Sequence, residues 1–170
     1  MHYSYCLLCG GALKKTQTCF VCVQCGYEVY ENPRPSSGLI FFTDRNEILL
    51  LKRSREPRSG AWGIPAGFVD QQESFEESAV REVREELGIY LKTMTYFRSY
   101  ADIYDYQGVT LPILTAIFCA QLAHDVQIKL DAENSEYAFF KFEDIPFHNF
   151  GFQSHSQSIH DFINEKNKII

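Results

Sequence analysis

The sequence predicts an α/β chain: a mixed sheet covered by helices, preceded by a small cysteine-rich module. Three observations predict it. Five of the six cysteines fall early, at Cys6, Cys9, Cys19, Cys22 and Cys25. Beyond residue 38, apolar segments of strand character are joined by turn residues. Among them lies one strong helical pattern, with Phe75, Ala79, Val83 and Leu87 repeating every four residues.

The N-terminal module spans roughly 30 residues, too few to be held by an apolar core alone. Cys6-Leu7-Leu8-Cys9-Gly10 and Cys22-Val23-Gln24-Cys25-Gly26 are two CxxC-Gly units. Each offers two thiolates from one tight turn, and the glycine relieves the backbone there. Four thiolates at about 2.3 Å complete a zinc tetrahedron and leave no open position. Zinc on Cys6, Cys9, Cys22 and Cys25 therefore reads as structural. A disulfide cluster and a redox-active CxxC are the alternatives, and a reducing compartment favours the metal. Cys19-Phe20-Val21-Cys22 is a third CxxC, but it lacks the following glycine, so Cys19 stays outside the set. Glu31-Asn32-Pro33-Arg34-Pro35-Ser36-Ser37 reads as a linker.

Residues 39–43 and 47–52 read as strands joined by Asp44-Arg45-Asn46. A short apolar segment, 61–65, precedes Gly67. Residues 73–87 read as a helix stopped by Gly88. Further strands fall near 95–104, 111–121 and 137–142, with a turn at Gln107-Gly108 and a break at Asp144-Ile145-Pro146. Cys119, in an apolar strand, reads as a buried, inert thiol. Residues 156–166 read as a final amphipathic helix. Strands paired as hairpins and interrupted by helices give a mixed, helix-covered sheet.

At 45% hydrophobic and 22% charged, the composition supports a sizeable core and argues against wholesale disorder. Sixteen Lys+Arg against 22 Asp+Glu give a net charge of −6, which disfavours nucleic acid and anionic membranes as partners. A phosphate-bearing substrate would then need a bound cation to attract it. The longest apolar run, near 111–120, is broken by Pro112 and Thr115 and is too short to span a membrane. Met1-His2-Tyr3-Ser4-Tyr5-Cys6 lacks the basic start and apolar core of a signal peptide, so the expected location is the cytoplasm.

The helix at 73–87 carries the chemistry. Glu82, Glu85 and Glu86 are related by i, i+3 and i+4 and share one face beside the apolar stripe. Three crowded carboxylates repel one another, and a hard divalent cation removes the repulsion. Gly67, just ahead, can bring a backbone carbonyl close with no side chain in the way. Arg81, four residues before Glu85, can orient it by a charge-assisted bond. A plain solvated charged face is the alternative.

Residues 67–89 resemble the Nudix box, G-x5-E-x7-R-E-U-x-E-E-x-G-U with U aliphatic. Gly67, Glu73, Arg81, Glu82, Val83, Glu85, Glu86, Gly88 and Ile89 fill its nine specified positions. Trp62-Gly63-Ile64-Pro65-Ala66-Gly67 is similar to the family's lead-in. The resemblance covers about residues 36–165, and a four-cysteine ribbon ahead of it is similar to the NADH pyrophosphatase subgroup. It implies a Nudix fold, an α/β/α sandwich on a mixed sheet, over 36–170, after a zinc ribbon over 1–32.

The implied activity is hydrolysis of a nucleoside diphosphate linked to another moiety, with release of AMP. By the resemblance, Glu82, Glu85 and Glu86, helped by the Gly67 carbonyl, hold Mg²⁺ or Mn²⁺. One carboxylate acts as general base, in the box or on a later loop. Glu136 is the loop candidate, Glu133 is its rival, and Glu73 supports the loop by hydrogen bonds. The subgroup often pairs, which makes a homodimer the expected assembly.

Substrate choice is less marked. The S-Q-P-W-P-F-P-x-S run of NADH pyrophosphatases is absent between Tyr90 and Gln107. The proline that ADP-ribose hydrolases often carry beyond the box is replaced by Tyr104 and Asp105. Tyr106 stands near where dinucleoside-polyphosphate enzymes often have tyrosine. The segment from Arg55 to Phe68 is loosely similar to a zinc-ribbon group associated with ADP-ribose and FAD. The implied order is ADP-ribose or FAD, then NAD(H), then dinucleoside polyphosphates. NAD-cap removal from RNA and a non-catalytic nucleotide sensor are the rival readings. Phe42, Tyr100, Tyr104 and Tyr106 are candidates for stacking on a flat ring, with core packing as the alternative. Arg53, Arg55 and Arg58 are candidates for a distal phosphate. His148, His155 and His160 lack zinc-ligand spacing and read as structural or surface residues.

Overall fold

The computed structural model describes residues 4–123 and 125–169, with the side chains of Tyr106 and of residues 167–169 outside the described set. The expectations placed on residues 1–3 and on the Tyr106 ring therefore lie outside it.

Three short strands form the first sheet: β1 (Leu13–Lys15), β2 (Phe20–Cys22) and β3 (Glu28–Val29), in antiparallel order β1-β2-β3. Phe20, Cys22 and Val29 are buried there, a core of only a few side chains.

Among the described residues the second sheet has seven strands. They are β4 (Arg34–Phe42), β5 (Glu47–Arg53), β6 (Trp62–Gly63), β7 (Ala66–Phe68), β8 (Thr95–Tyr106), β9 (Val109–Gln121) and β10 (Asn134–Lys141). The main path runs β10-β5-β4-β9-β8, with β6 added to β5 and β7 to β4. The β4–β9 pair is parallel and the other pairings are antiparallel, so the sheet is mixed, as expected. Two helices flank it, α1 (Phe75–Leu87) and α2 (Gln153–Ile169).

The strand period of two divides the core. Leu39, Phe41, Leu49 and Leu51 pack with Ala79, Val83 and Leu87 of α1. Ile40, Ile48 and Leu50 pack with Ile159 and Phe162 of α2. Central strands covered on both faces read as continuous apolar runs, which is how 39–41 and 48–51 appear.

The α1 helix begins where local chemistry dictates. Ser74 accepts from the Glu77 N–H, and the Glu77 carboxylate accepts from the Ser74 N–H. Gly88 ends it in the left-handed region at φ 69°. Glu73 lies outside the helix and Glu77 serves its cap, a correction to the sequence reading.

Two further corrections follow from tertiary pairing. The expected linker at 31–37 is in part strand, because β4 starts at Arg34 beside β9. Ser36 and Ser37 are buried, donating to the Gly67 carbonyl and to Ser78 Oγ. The α2 helix starts at Gln153, before the predicted 156, because Asp102 of β8 accepts the Ser154 N–H at 2.8 Å. Downstream, Asp161 accepts from the Tyr100 hydroxyl at 2.9 Å and pairs with Arg98, seating α2 on β8. No helix among the described residues is long and apolar enough to cross a membrane.

Candidate active site

Arg81 organises the carboxylate helix. Its Nε and Nη2 grip Glu73 at 2.7 and 2.9 Å, a bidentate pair. Its Nη1 donates to Glu82 at 2.7 Å and to Glu85 at 3.2 Å, and its Nη2 also donates to the Phe68 carbonyl at 2.9 Å. Arg81 thus ties the residue after Gly67 to three carboxylates. The guanidinium holds Glu73 below the usual carboxylate range.

Gly67 sits against Glu82. A Cβ there would lie 1.9 Å from Glu82 Oε1, so only glycine admits the carboxylate. Burial pushes Glu82 above its ordinary pKa, with Glu85 and Glu133 adding like charge.

Glu86 is the most enclosed of the three, at 8% exposure. Its Oε2 has no hydrogen-bond partner among the described residues. Burial, then the charges of Glu82 and Asp131, push its pKa well up, while the Asn134 amide and the Ala66 backbone pull the other way. A buried carboxylate oxygen without a donor is costly unless a cation takes it. The all-oxygen donor set of Glu82, Glu85, Glu86 and the Gly67 carbonyl suits a hard divalent ion.

These groups line a cavity of about 320 Å³ between α1, β7, β8 and the start of α2. Glu133 opens onto it and Glu136 does not. The loop ahead of β10 explains this. Asp131 Oδ1 accepts from the Glu133 N–H and from Asn134 Nδ2, while the Glu133 carbonyl accepts from the Ser54 N–H. Arg55 pairs with the Glu133 carboxylate. The strand begins at Asn134, earlier than predicted, with an irregularity between Asn134 and Glu136. Glu136 is thereby on the strand, paired with Lys52 at 3.1 Å.

Of the candidate stacking rings, Tyr104 lines the cavity, whereas Phe42 and Tyr100 pack beneath α2. Arg53 and Arg55 line it too; Arg58 lines a neighbouring depression. Sequence reasoning missed Phe68, Asp102, Asn134, Phe152 and His155, which also face the cavity. His155 is buried, with its pKa lowered to about 4 by burial, and its Nδ1 accepts from the Ile64 N–H. These residues come from separate elements and share no spacing that would have flagged them.

In the ribbon, Cys6, Cys9, Cys22 and Cys25 place their sulfurs within 4.8 Å of one another. Neighbouring sulfurs stand 3.3–3.8 Å apart. A zinc tetrahedron with bonds of about 2.3 Å has edges of about 3.8 Å, so the cluster fits that ion. Cys19 bonds Thr16 instead and lies outside the cluster.

Residues 32–162 match the NUDIX domain profile. The NAD-capped RNA hydrolase of Photobacterium profundum is 38% identical over 98 residues, covering 56% of this chain. The aligned part is 36% of that relative, so the chain spans well under two-thirds of its length. A NUDIX hydrolase structure from Nitrosomonas europaea superposes with a TM-score of 0.71 at 26% identity, covering 98% of this chain and 93% of that one. The NUDIX domain of Shewanella oneidensis NrtR, crystallised with ADP ribose, superposes at 0.67 over 80% of this chain and 90% of that one. At 20% identity it shows likeness of fold.

Proposed function

The chain belongs to the NUDIX family, and on that premise we propose that it is a divalent-metal-dependent pyrophosphohydrolase. Its substrate would be a nucleoside diphosphate linked to another moiety, ADP-ribose or FAD first, then NAD(H), and AMP would be released. The observation that carries this is the orphaned, buried Glu86 oxygen within a carboxylate cluster that lines a cavity.

Glu82, Glu85 and Glu86, with the Gly67 carbonyl, would hold Mg²⁺ or Mn²⁺. Such an ion, when bound, neutralises the diphosphate and makes water a better nucleophile. The protein's part is positional. Arg81 fixes Glu82 and Glu85 and anchors Phe68. Ser36 Oγ donates to the Gly67 carbonyl at 2.8 Å and ties β7 to β4. The general base is a carboxylate, and we assign the loop role to Glu133 over Glu136, since Glu133 faces the cavity. Arg55, paired with Glu133, and Arg53 are suited to the distal phosphate.

We further propose that residues 1–32 form a zinc ribbon and 36–170 the catalytic domain. A cytoplasmic homodimer completes this reading, and sizing by light scattering tests the pairing. The NAD-capped RNA hydrolase relative favours a second reading, NAD-cap removal, which uses the same bond cleavage on a larger substrate.

The test is a panel of ADP-ribose, FAD, NADH, NAD⁺, diadenosine tetraphosphate and NAD-capped RNA, with Mg²⁺ and with Mn²⁺. Glu85→Gln serves as the blank. AMP released from one or two small substrates supports the first reading, and turnover confined to capped RNA supports the second. Tight binding without turnover moves the protein to a nucleotide sensor.

A further inference from the structure

Two arginines from one strand end reach the cavity, and they are held differently. Arg53 closes β5. Its Nε donates to the Pro57 carbonyl at 2.8 Å, and its guanidinium lies 5.4 Å over the Phe152 ring. It is fixed from two sides. Arg55, two residues on, has 60% of its side chain exposed and pairs with the carboxylate of Glu133, whose side chain is 39% exposed. Both members of this pair open onto the cavity.

The backbone beneath the pair is stitched together. The Ser54 N–H donates to the Glu133 carbonyl at 2.8 Å, and Ser54 Oγ donates to the Ala132 carbonyl at 2.6 Å. The loop that carries Arg55 is laced to itself, with the Gly60 N–H donating to the Arg53 carbonyl and Ser59 Oγ to the Ser54 carbonyl. Across from it, Asp131 Oδ1 accepts from the Glu133 N–H. With both loops tied at the main chain, the long side chains are what can exchange partners.

That exchange costs little. An exposed ion pair contributes weakly, whereas a guanidinium fork on a phosphate makes two charge-assisted bonds. A diphosphate in the cavity therefore outcompetes the Glu133 carboxylate for Arg55. Repulsion works in the same direction on Glu133, which stands close enough to Glu82 to add like charge there. Arg55 offsets that charge while no substrate is bound.

We propose that Arg55 is a substrate-operated latch on Glu133. It pairs with that carboxylate in the absence of substrate and transfers to the distal phosphate when a diphosphate binds, leaving the Glu133 oxygens free to accept. This rests on the pyrophosphohydrolase reading with Glu133 as the loop acid, and adds what occupies that acid until substrate arrives.

The test measures binding of α,β-methylene ADP-ribose, whose diphosphate link cannot be hydrolysed, by titration calorimetry in Mg²⁺. Glu133→Gln removes the competitor for Arg55 and is expected to tighten binding about threefold to fivefold, the worth of an exposed ion pair. Arg55→Gln is expected to weaken binding about tenfold, and adding Glu133→Gln to it should change affinity less than about twofold. Glu136→Gln, an equal loss of charge outside the cavity, is expected to leave affinity unchanged. Thermal melting confirms that each variant is folded. Unchanged or weaker binding by Glu133→Gln, or an equal gain with and without Arg55, overturns the latch. Turnover of the substrate panel is read separately. Hydrolysis without this coupling overturns the latch alone, and coupling without hydrolysis of any diphosphate overturns the hydrolase reading alone.

Discussion

Glu86 has a buried oxygen with no partner among the described residues, and this sets its thermodynamics as well as its chemistry. With its pKa raised in the fold, the protonated form suits the native state better than the unfolded one. Without metal, Glu86 therefore costs stability increasingly as pH rises above the ordinary carboxylate range. Glu86→Gln is expected to raise metal-free stability at pH 8 by about 1–3 kcal/mol in a urea melt and to cut turnover at least about a hundredfold. His155 acts in the opposite direction. Its pKa falls from 6.5 to about 4 on burial, so its contribution is present above 6.5 and lost as pH drops through 4. By pH 4 the loss reaches roughly 3 kcal/mol, and His155→Asn is expected to flatten that acid limb of the melting temperature. The three box carboxylates were legible at this scale because helical spacing alone groups them. Glu86's isolation was not, since it depends on Asn134 and Ala66 from other segments.

The element that matters most is β7 against α1. Gly67 was readable as a place where backbone must come close, and the structure identifies what it approaches, the Glu82 carboxylate. Gly67→Ala is expected to leave the fold intact, because the clash falls on the end of a flexible side chain. It should displace Glu82 from Arg81, lowering turnover about 10–100-fold with a higher Mn²⁺ requirement, measured by activity and by Mn²⁺ electron paramagnetic resonance. Strands with apolar runs and the capped helix were legible because their cues are local. The start of β4 was hidden in a Pro-Ser sequence that only pairing with β9 and β7 makes strand. The start of α2 was hidden because its cap, Asp102, is 52 residues away. The same non-locality explains the loop acid: the early onset of β10 separates Glu133 from Glu136 in a way no local pattern records.

At the scale of the molecule, the described residues form a seven-stranded sheet with a helix on each face that presents the carboxylate-lined cavity wall, and a three-stranded ribbon precedes it. The family was legible from nine fixed positions, whereas the cavity rings Phe68, Tyr104 and Phe152 come from β7, β8 and the segment just before α2 and share no sequence pattern. Because the ribbon's core is so small, its folding should depend on zinc. Native mass spectrometry is expected to find one zinc per chain. Cys22→Ser should lose it and expose residues 6–29 to hydrogen exchange, while 39–51 stay protected.

The most direct measurement is AMP release from ADP-ribose as Mg²⁺ is titrated into metal-free protein, for the wild type and Glu86→Gln. A saturable, metal-dependent rate in the wild type that is lost in the variant is the predicted result. Equal turnover by both proteins, or turnover in excess chelator, would contradict the assignment of the chemistry to this carboxylate cluster.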